Sequence, residues 1–240
     1  MPYLGFLSYK MIKAGVVVFP GSNCDQDLSE GLSHSGFEKT VKLWHKQSDL
    51  EGCNVVFLPG GFSFGDYLRS GSIARFSPIM KEVSAFAEKG GFVVGICNGF
   101  QILTEAGLLP GALLRNKDRL FICDYTHLAT GNTNTAITHS LQKNRTYKIP
   151  IAHGEGRYFA KDSEIEELKS NEQIVFRYVN QDGERLADSN PNGSMDDIAG
   201  ICNKTKNVFG MMPHPERVTD SRLGNTDGKH ILSAIRSFLG

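Results

Sequence analysis

The chain has 240 residues, of which 40% are hydrophobic, so it is long enough to bury the core of one large domain or two small ones. Its 26 Lys and Arg residues balance its 26 Asp and Glu residues, and without a net positive field we expect neither nucleic acid nor an anionic membrane as a partner. Five cysteines without a CxxC pair suit neither a zinc knuckle nor a disulfide framework, which favours reduced thiols in a cytoplasmic protein.

Continuously apolar strands alternate with helices in the first half of the chain. Such strands are typical of a parallel sheet buried on both faces, so the pattern predicts an α/β fold with a doubly wound, mostly parallel sheet. Ser22 or Asn23 is expected to cap the first helix, and Gly36 to end it. In chain order, strands are predicted at 14–20, 41–44, 54–59 and 91–97, and helices at 22–36, 79–90 and 98–108.

The second half of the chain is less regular and is predicted to be partly antiparallel. No stretch of about 18 consecutive apolar residues occurs, so no membrane span is expected. We interpret residues 1–10 as an extension of a single domain at 11–240, since the sequence contains neither an internal repeat nor an obvious linker. Strands are predicted at 119–124, 146–152, 173–178, 198–202 and 208–212, followed by an amphipathic helix at 228–240.

A cysteine stands between two glycines where the fourth strand turns into a helix. The stretch "GICNG" at 95–99 has the form of a nucleophile elbow, with Cys97 at its centre. The glycines suit a turn too tight for a Cβ, and the helix N-terminus favours a thiolate. The motif alone leaves open a small buried cysteine. The other four cysteines lack this context and are interpreted as structural: Cys24, Cys53, Cys123 and Cys202.

A histidine and a glutamate lie two residues apart in "PHPER", after the last predicted strand. A thiolate nucleophile needs a proton shuttle and a group that orients it. In extended chain, the side chains of His214 and Glu216 point to the same side, and the flanking Pro213 and Pro215 keep the segment out of a helix. These residues are therefore candidates for the shuttle and its orienting group.

Acyl transfer also needs hydrogen-bond donors for an oxyanion. The backbone N–H of Asn98, next to the cysteine, is one candidate donor. The glycine-rich loop "LPGGFSFGD" can supply a second, because Gly60 and Gly61 allow an N–H to turn inward. An ordinary turn at the end of a strand is the alternative for this loop.

The segments "PGGFSFGD", "GICNGFQIL" and "HPE" together resemble the class I glutamine amidotransferases. The resemblance implies a flavodoxin-like α/β fold with a Cys-His-Glu triad and covers nearly the whole chain from Met11. Further segments, "VVVFPGSNCDQD", "IAHGEGRY" and "GMMPHPER", are similar to a narrower family, the glutaminase subunits of phosphoribosylformylglycinamidine synthases.

The resemblance also implies a role for each matching residue. Cys97 is then the nucleophile, His214 the general acid and base, and Glu216 the group that orients the histidine. The remaining implied residues are oxyanion donors at Gly61 and Asn98 and contacts to glutamine from Gly60, Gly61 and Gln101.

The implied reaction is hydrolysis of L-glutamine to glutamate and ammonia through a cysteine thioester. Ammonia would pass to a large ATP-dependent synthase subunit that converts formylglycinamide ribonucleotide to its amidine in purine biosynthesis. A small bridging subunit is also implied. ATP and Mg²⁺ would act on the large subunit, and this chain is expected to hold neither cofactor nor metal, consistent with its lack of a Walker-type loop.

Two alternatives stay open at this point. The chain could serve a different synthase, or it could be a non-catalytic regulatory module of the same fold. The roles of His153, Glu155 and Arg157 in "IAHGEGRY" are also open: they could line the glutamine pocket or the ammonia exit, dock a partner, or form a plain polar loop. A metal at His153 and Glu155 lacks a third ligand at suitable spacing.

Removal of residues 1–10 tests the assignment of the extension. A chain that begins at Met11 should remain soluble and keep its activity, because the first predicted strand starts only after this residue. Solubility and activity of the shortened and full chains are compared under the same conditions. Loss of either property on shortening would reject the assignment.

Overall fold

A nine-stranded sheet forms the centre of the fold. The computed structural model describes residues 11–132 and 134–240, so the predicted extension at 1–10 lies outside the described residues. The strands are β1 Lys13–Val18, β2 Lys39–Trp44, β3 Val55–Leu58, β4 Phe92–Ile96, β5 Ala112–Leu114, β6 Ile122–Thr130, β7 Tyr147–His153, β8 Arg157–Phe159, β9 Ile174–Val179, β10 Ile198–Cys202 and β11 Val208–Met211. The helices are α1 Asp25–His34, α2 Pro78–Glu88, α3 Asn98–Glu105, α4 Asp162–Ser170 and α5 Asp227–Leu239.

The sheet has a parallel half and an antiparallel half. Its strand order is β2-β1-β3-β4-β11-β10-β9-β6-β7. The strands from β2 to β11 in this order are parallel to their neighbours, and those from β11 to β7 are antiparallel. The predicted fold class, with its partly antiparallel second half, is confirmed.

The burial patterns explain why the sequence forms the two halves. Every residue of β3 and β11 is buried, so both faces of these strands are covered, as parallel strands between helix layers require. Along β7, buried and more accessible residues alternate, which is typical of an antiparallel strand with one face toward the core.

The structure corrects the predicted start of the first helix. Helix α1 begins at Asp25, and neither Ser22 nor Asn23 caps it. The hydroxyl of Ser22 instead accepts a hydrogen bond from the N–H of Phe19 and donates one to its carbonyl, at 2.9 and 2.8 Å, so it closes the turn after β1. Gly36 follows the helix end with a φ of +90°, as expected of a terminating glycine.

The second half departs further from the prediction. The strand expected at 119–124 is shifted, since β6 runs from Ile122 to Thr130. The sequence predicted neither the short strands β5 and β8, which pair with each other, nor helix α4. The two strands have only three residues each, too few to show a hydrophobic alternation.

The glycines of the elbow are required by close packing. A Cβ at Gly95 would lie 2.6 Å from the carbonyl oxygen of Gly99, and a Cβ at Gly99 would overlap the carbonyl oxygen of Leu58. Backbone atoms cannot move aside as a flexible side chain can, so the expected steric reason for both glycines is confirmed. Among the described residues, no helix has the length and apolar character needed to cross a membrane.

Gly99→Ala tests this packing. The new methyl group would collide with β3, and we expect the free energy of unfolding to fall by about 3 kcal/mol. Gly154→Ala is the matched control, because its Cβ would make only an ordinary contact, at 3.7 Å from the Cδ2 of Phe121. It should change stability by less than about 1 kcal/mol. Urea unfolding measures both variants, and equal losses would contradict the steric argument.

Candidate active site

The ends of three neighbouring parallel strands bring the predicted motifs together. In the sheet, β4 lies between β3 and β11, and the carboxyl ends of parallel strands meet at the same edge. Gly61 follows β3, Cys97 follows β4 and His214 follows β11. Segments far apart in the sequence therefore converge on one site.

Cys97 occupies a strained turn between β4 and α3. Its φ is +51° and its ψ is −107°, a conformation that L-residues adopt only where the surrounding structure enforces it. The N–H of Cys97 donates to the carbonyl of Met211 at 2.8 Å, which ties the turn to β11. Helix α3 begins at Asn98, so its unpaired N–H groups and its dipole favour negative charge at the sulfur.

His214 and Glu216 form a buried pair. The Nδ1 of His214 lies 2.7 Å from an oxygen of Glu216, and the two side chains are 2% and 0% exposed. Burial opposes protonation of the imidazole, but the carboxylate of Glu216 and a charged Cys97 sulfur outweigh it and raise the pKa of His214. Since Nδ1 contacts Glu216, Nε2 is the nitrogen left for the thiol; it is buried without a hydrogen-bond partner among the described residues.

The segment that carries this pair is not simply extended. Residues Pro215–Arg217 form one turn of 3-10 helix, so the prediction that the prolines keep the tripeptide out of any helix is wrong. The turn still brings the carboxylate back to the imidazole. Pro215 is tolerated at its first position, because that residue needs no hydrogen bond from its own nitrogen.

Three glycines from separate segments make room for the pair. A Cβ at Gly31 would lie 2.9 Å from the Cα of Glu216, and one at Gly228 would overlap the carbonyl of Pro215. A Cβ at Gly60 would lie 2.6 Å from Cε1 of His214. Gly60, expected to contact glutamine, therefore packs against the histidine and does not border the cavity at Cys97.

A cavity of about 150 Å³ opens in front of the Cys97 sulfur. Pockets for drug-sized ligands start at about 300 Å³, so this one suits a molecule of amino-acid size. Its wall includes Gly61, Asp66, Cys97, Gln101, His153 and Glu155. A larger hollow of about 460 Å³ lies beside α1, on a side of Glu216 that Cys97 does not border.

The residues expected to bind the oxyanion and glutamine form a hydrogen-bonded frame. The side chain of Asn98 accepts from the N–H of Ser63 at 3.0 Å and donates to Gln101 at 2.9 Å. Gln101 in turn donates to the carbonyl of Glu155 at 2.6 Å. Gly61 has a φ of +122°, a conformation open to glycine and rare for other residues. The frame fixes the loop after β3 against α3.

Sequence reasoning did not assign several residues of this cavity. Asp66 lies in the loop with a φ of +52°, and burial raises its pKa above the ordinary value for a carboxyl group. Glu155 accepts a hydrogen bond from the hydroxyl of Ser70 at 3.0 Å. His153 borders the cavity, whereas Arg157 lies on β8 and does not border it. No periodicity marks these residues, because they come from turns and strand ends.

Cys24 was interpreted as structural, but the structure places it beside the triad. Its sulfur, a nitrogen of His214 and an oxygen of Glu216 all lie within 4.8 Å of one another, a spacing that could hold a metal ion. The guanidinium of Arg217 donates to this sulfur at 3.1 Å, and a cation would have to displace it and break the His214–Glu216 contact. Burial and the charge of Glu216 raise the pKa of Cys24 to about 12, so this thiol stays protonated.

The fold and the cysteine site together define a glutamine amidotransferase. The family model for the CobB/CobQ-like glutamine amidotransferase domain matches residues 11–231, and the chain belongs to this family. A glutaminase domain of CTPS from Trypanosoma brucei has the same fold, with a TM-score of 0.61 over 95% of this chain and 93% of that one, at 12% identity.

Relatives with higher sequence identity are named as subunits of one particular synthase. The chain is 52% identical over 224 residues to the phosphoribosylformylglycinamidine synthase subunit PurQ of Gloeobacter violaceus, covering 93% of this chain and 97% of the relative. It is 54% identical to the PurQ subunit of Synechocystis sp. over 218 residues, covering 91% and 97% of the two chains. A chain in the structure of PurLQS from Thermotoga maritima matches with a TM-score of 0.84 and 41% identity, over 96% of this chain and 100% of that one.

Glu216→Gln tests the electrostatics of the pair. Because the negative charge of Glu216 helps to hold the pKa of His214 up, its removal should lower the pH at which the imidazole loses its proton, by about 1 to 3 pH units. NMR of isotope-labelled histidines follows the titration, with His214→Asn identifying the resonance.

Asp220→Asn is the matched control for this titration. It removes a carboxylate from the same segment, but that carboxylate pairs with Arg222 at the surface. In this control, His214 should lose its proton at the same pH as in the unchanged chain. An equal shift in both variants would show that net charge, and not the contact with Glu216, controls the imidazole.

Proposed function

We propose that this chain is the glutaminase subunit of a phosphoribosylformylglycinamidine synthase. The observation that carries the proposal is the position of Cys97: its sulfur borders a cavity of amino-acid size and stands beside a buried His-Glu pair. PurQ subunits that are 52% and 54% identical to the chain support the choice of synthase.

Cys97 is the nucleophile in the proposed reaction. Its thiolate attacks the side-chain amide carbon of L-glutamine, and the amide oxygen becomes an oxyanion. Asn98, as the first residue of α3, has a backbone N–H without an acceptor inside the helix, and Gly61 lines the same cavity. These two residues are the proposed oxyanion donors, and Gln101, which also lines the cavity, is proposed to contact glutamine.

His214 moves the proton in both half-reactions. The imidazolium gives its proton to the amide nitrogen as the C–N bond breaks, which releases ammonia and leaves a thioester on Cys97. The neutral imidazole then takes a proton from water, which hydrolyses the thioester to glutamate. The contact between Nδ1 and Glu216, at 2.7 Å, holds the ring so that Nε2 serves the reacting atoms.

A complex with other subunits completes the proposed activity. One matching chain of known structure lies in the structure of PurLQS, which supports partnership with a large synthase subunit and a small bridging subunit. ATP and Mg²⁺ are proposed to act on the large subunit, which uses the ammonia. Exposed apolar side chains near the cavity are typical of a surface that a partner protein covers. On the loop beside the cavity and at its rim, four large ones are exposed: Phe62, Tyr67, Leu68 and Phe121.

The two alternatives are less well supported. Two solved structures named for other synthases, a putative GMP synthase subunit and the CTPS glutaminase domain, are only 15% and 12% identical to the chain, far below the PurQ relatives. A non-catalytic module would have no need for a strained cysteine beside a buried His-Glu pair, since such a conformation destabilises the fold.

Cys97→Ala tests the proposed reaction in the reconstituted complex. Glutamine-dependent formation of the amidine product should fall at least about 1,000-fold, because the nucleophile is lost. The reaction with added ammonia should be unchanged, since it bypasses this site. Cys123→Ala removes an exposed thiol on β6 and should leave both reactions intact.

Two results would contradict the proposal in different ways. A complex with the unchanged chain that used ammonia but not glutamine would reject the assignment to this synthase. Retention of glutamine use by Cys97→Ala would reject the nucleophile.

A further inference from the structure

His153 borders the cavity at Cys97, yet the reaction as described gives it no part. It is the last residue of β7 and is only 3% exposed. The preceding residue, Ala152, has its carbonyl oxygen 3.8 Å from the Cys97 sulfur, so this strand end lies beside the nucleophile. The buried His153 thus lies at the wall of the cavity that Cys97 also borders.

The neighbouring Asn116 determines which ring nitrogen carries the proton. The amide nitrogen of Asn116 donates to the carbonyls of Leu120 and His153, both at 2.8 Å. Its oxygen is therefore an acceptor, and it faces the N–H of Gly156 and the Nδ1 of His153, both at 3.1 Å. An amide oxygen cannot donate, so Nδ1 must carry the hydrogen.

The other nitrogen, Nε2, is then an acceptor with a free lone pair. It is buried and has no hydrogen-bond partner among the described residues, although buried polar atoms are nearly always satisfied. Burial and the nearby His214 lower the pKa of His153 to about 4, so the ring is neutral. A Cβ at Gly156 would overlap the ring, so this glycine lets the backbone pack directly against it.

We propose that Nε2 of His153 accepts a hydrogen bond from the side-chain amide N–H of bound glutamine and so selects an amide over a carboxylate. The inference rests on the proposed glutaminase function. The amide nitrogen offers two hydrogens, and a buried acceptor beside the nucleophile orients this group for attack by Cys97 and protonation by His214.

The same contact distinguishes substrate from product. After hydrolysis, glutamate has a carboxylate oxygen where the amide nitrogen stood. A carboxylate oxygen only accepts hydrogen bonds, so it meets the lone pair of Nε2 without a hydrogen between them. His153 thus favours binding of glutamine and release of glutamate, and it keeps its own proton on Nδ1 throughout.

Glu155 is not equivalent as an acceptor, although it also borders the cavity. Its carboxylate already accepts from the hydroxyl of Ser70 at 3.0 Å and lies 3.6 Å from the guanidinium of Arg115. Ser70 and Arg115 thus already compensate for the negative charge of Glu155. His153 borders the cavity, and at this strand end its Nε2 is an acceptor without a partner among the described residues.

Two substrates of similar size separate this contact from a structural role. L-glutamine offers N–H groups at the reacting carbon, whereas L-glutamic acid γ-methyl ester carries a methoxy group there and offers none. In the complex with the synthase subunits, glutamate release is measured for both substrates. With His153→Leu, we expect kcat/KM for glutamine to fall about 10- to 100-fold and kcat/KM for the ester to stay within about threefold.

The variants are designed so that each outcome is decisive. His153→Gln, whose amide oxygen can reach the place of Nε2, should recover most of the activity with glutamine. His127→Leu makes the same change on β6, away from this cavity, and should alter neither substrate. Co-purification of each variant with the synthase subunits verifies that the complex has assembled.

Equal losses with both substrates, or no rescue by His153→Gln, would overturn the proposal and leave His153 a structural role. Should His153→Leu fail to assemble, His153→Gln decides alone: retained kcat/KM for glutamine with an unchanged inhibition constant for glutamate supports the contact, and lost glutamine use or a changed inhibition constant overturns it. Failure of the proposed function is distinct, because the unchanged chain itself would then release no glutamate from glutamine.

Discussion

The buried contact between His214 and Glu216 places the strongest demand on this structure. A carboxylate removed from water is stable only if a charged or hydrogen-bonded partner compensates for the lost hydration. Here the side chains are 2% and 0% exposed, so the protein must supply that partner at close range. The raised pKa of His214 follows from this arrangement, because the imidazolium is the partner.

Enclosing such a pair requires backbone segments to approach it more closely than side chains would allow. Glycines on α1, after β3 and at the start of α5 provide that approach, at positions 31, 60 and 228. The site is therefore built from elements spread along the whole chain. Its geometry depends on the sheet that holds those elements, and local sequence around the histidine cannot produce it alone.

The two halves of the sheet contribute differently to the site. The parallel half places the loop after β3, Cys97 and His214 side by side, because neighbouring parallel strands end at the same edge. The antiparallel half brings β7 back to this edge, where the N–H of His214 donates to the carbonyl of Pro150 at 2.8 Å. The nucleophile and its shuttle thus lie on one half, and both halves contribute to the wall of the cavity.

This division explains what could be predicted from the sequence. The elbow at Cys97 and the pair in "PHPER" are local patterns whose chemistry follows from a few adjacent residues, and the apolar runs of β1, β3 and β4 indicate the parallel half. The sequence placed Cys24 among the structural cysteines and left the role of His153 open, because contacts across the fold create the environment of both: Arg217 lies beside Cys24, and Asn116 lies beside His153. When a partner distant in the sequence sets the role of a residue, the residues next to it in the chain do not indicate that role. The unpaired Nε2 of His153 can be identified as an acceptor only after the contact with Asn116 has shown which ring nitrogen carries the hydrogen.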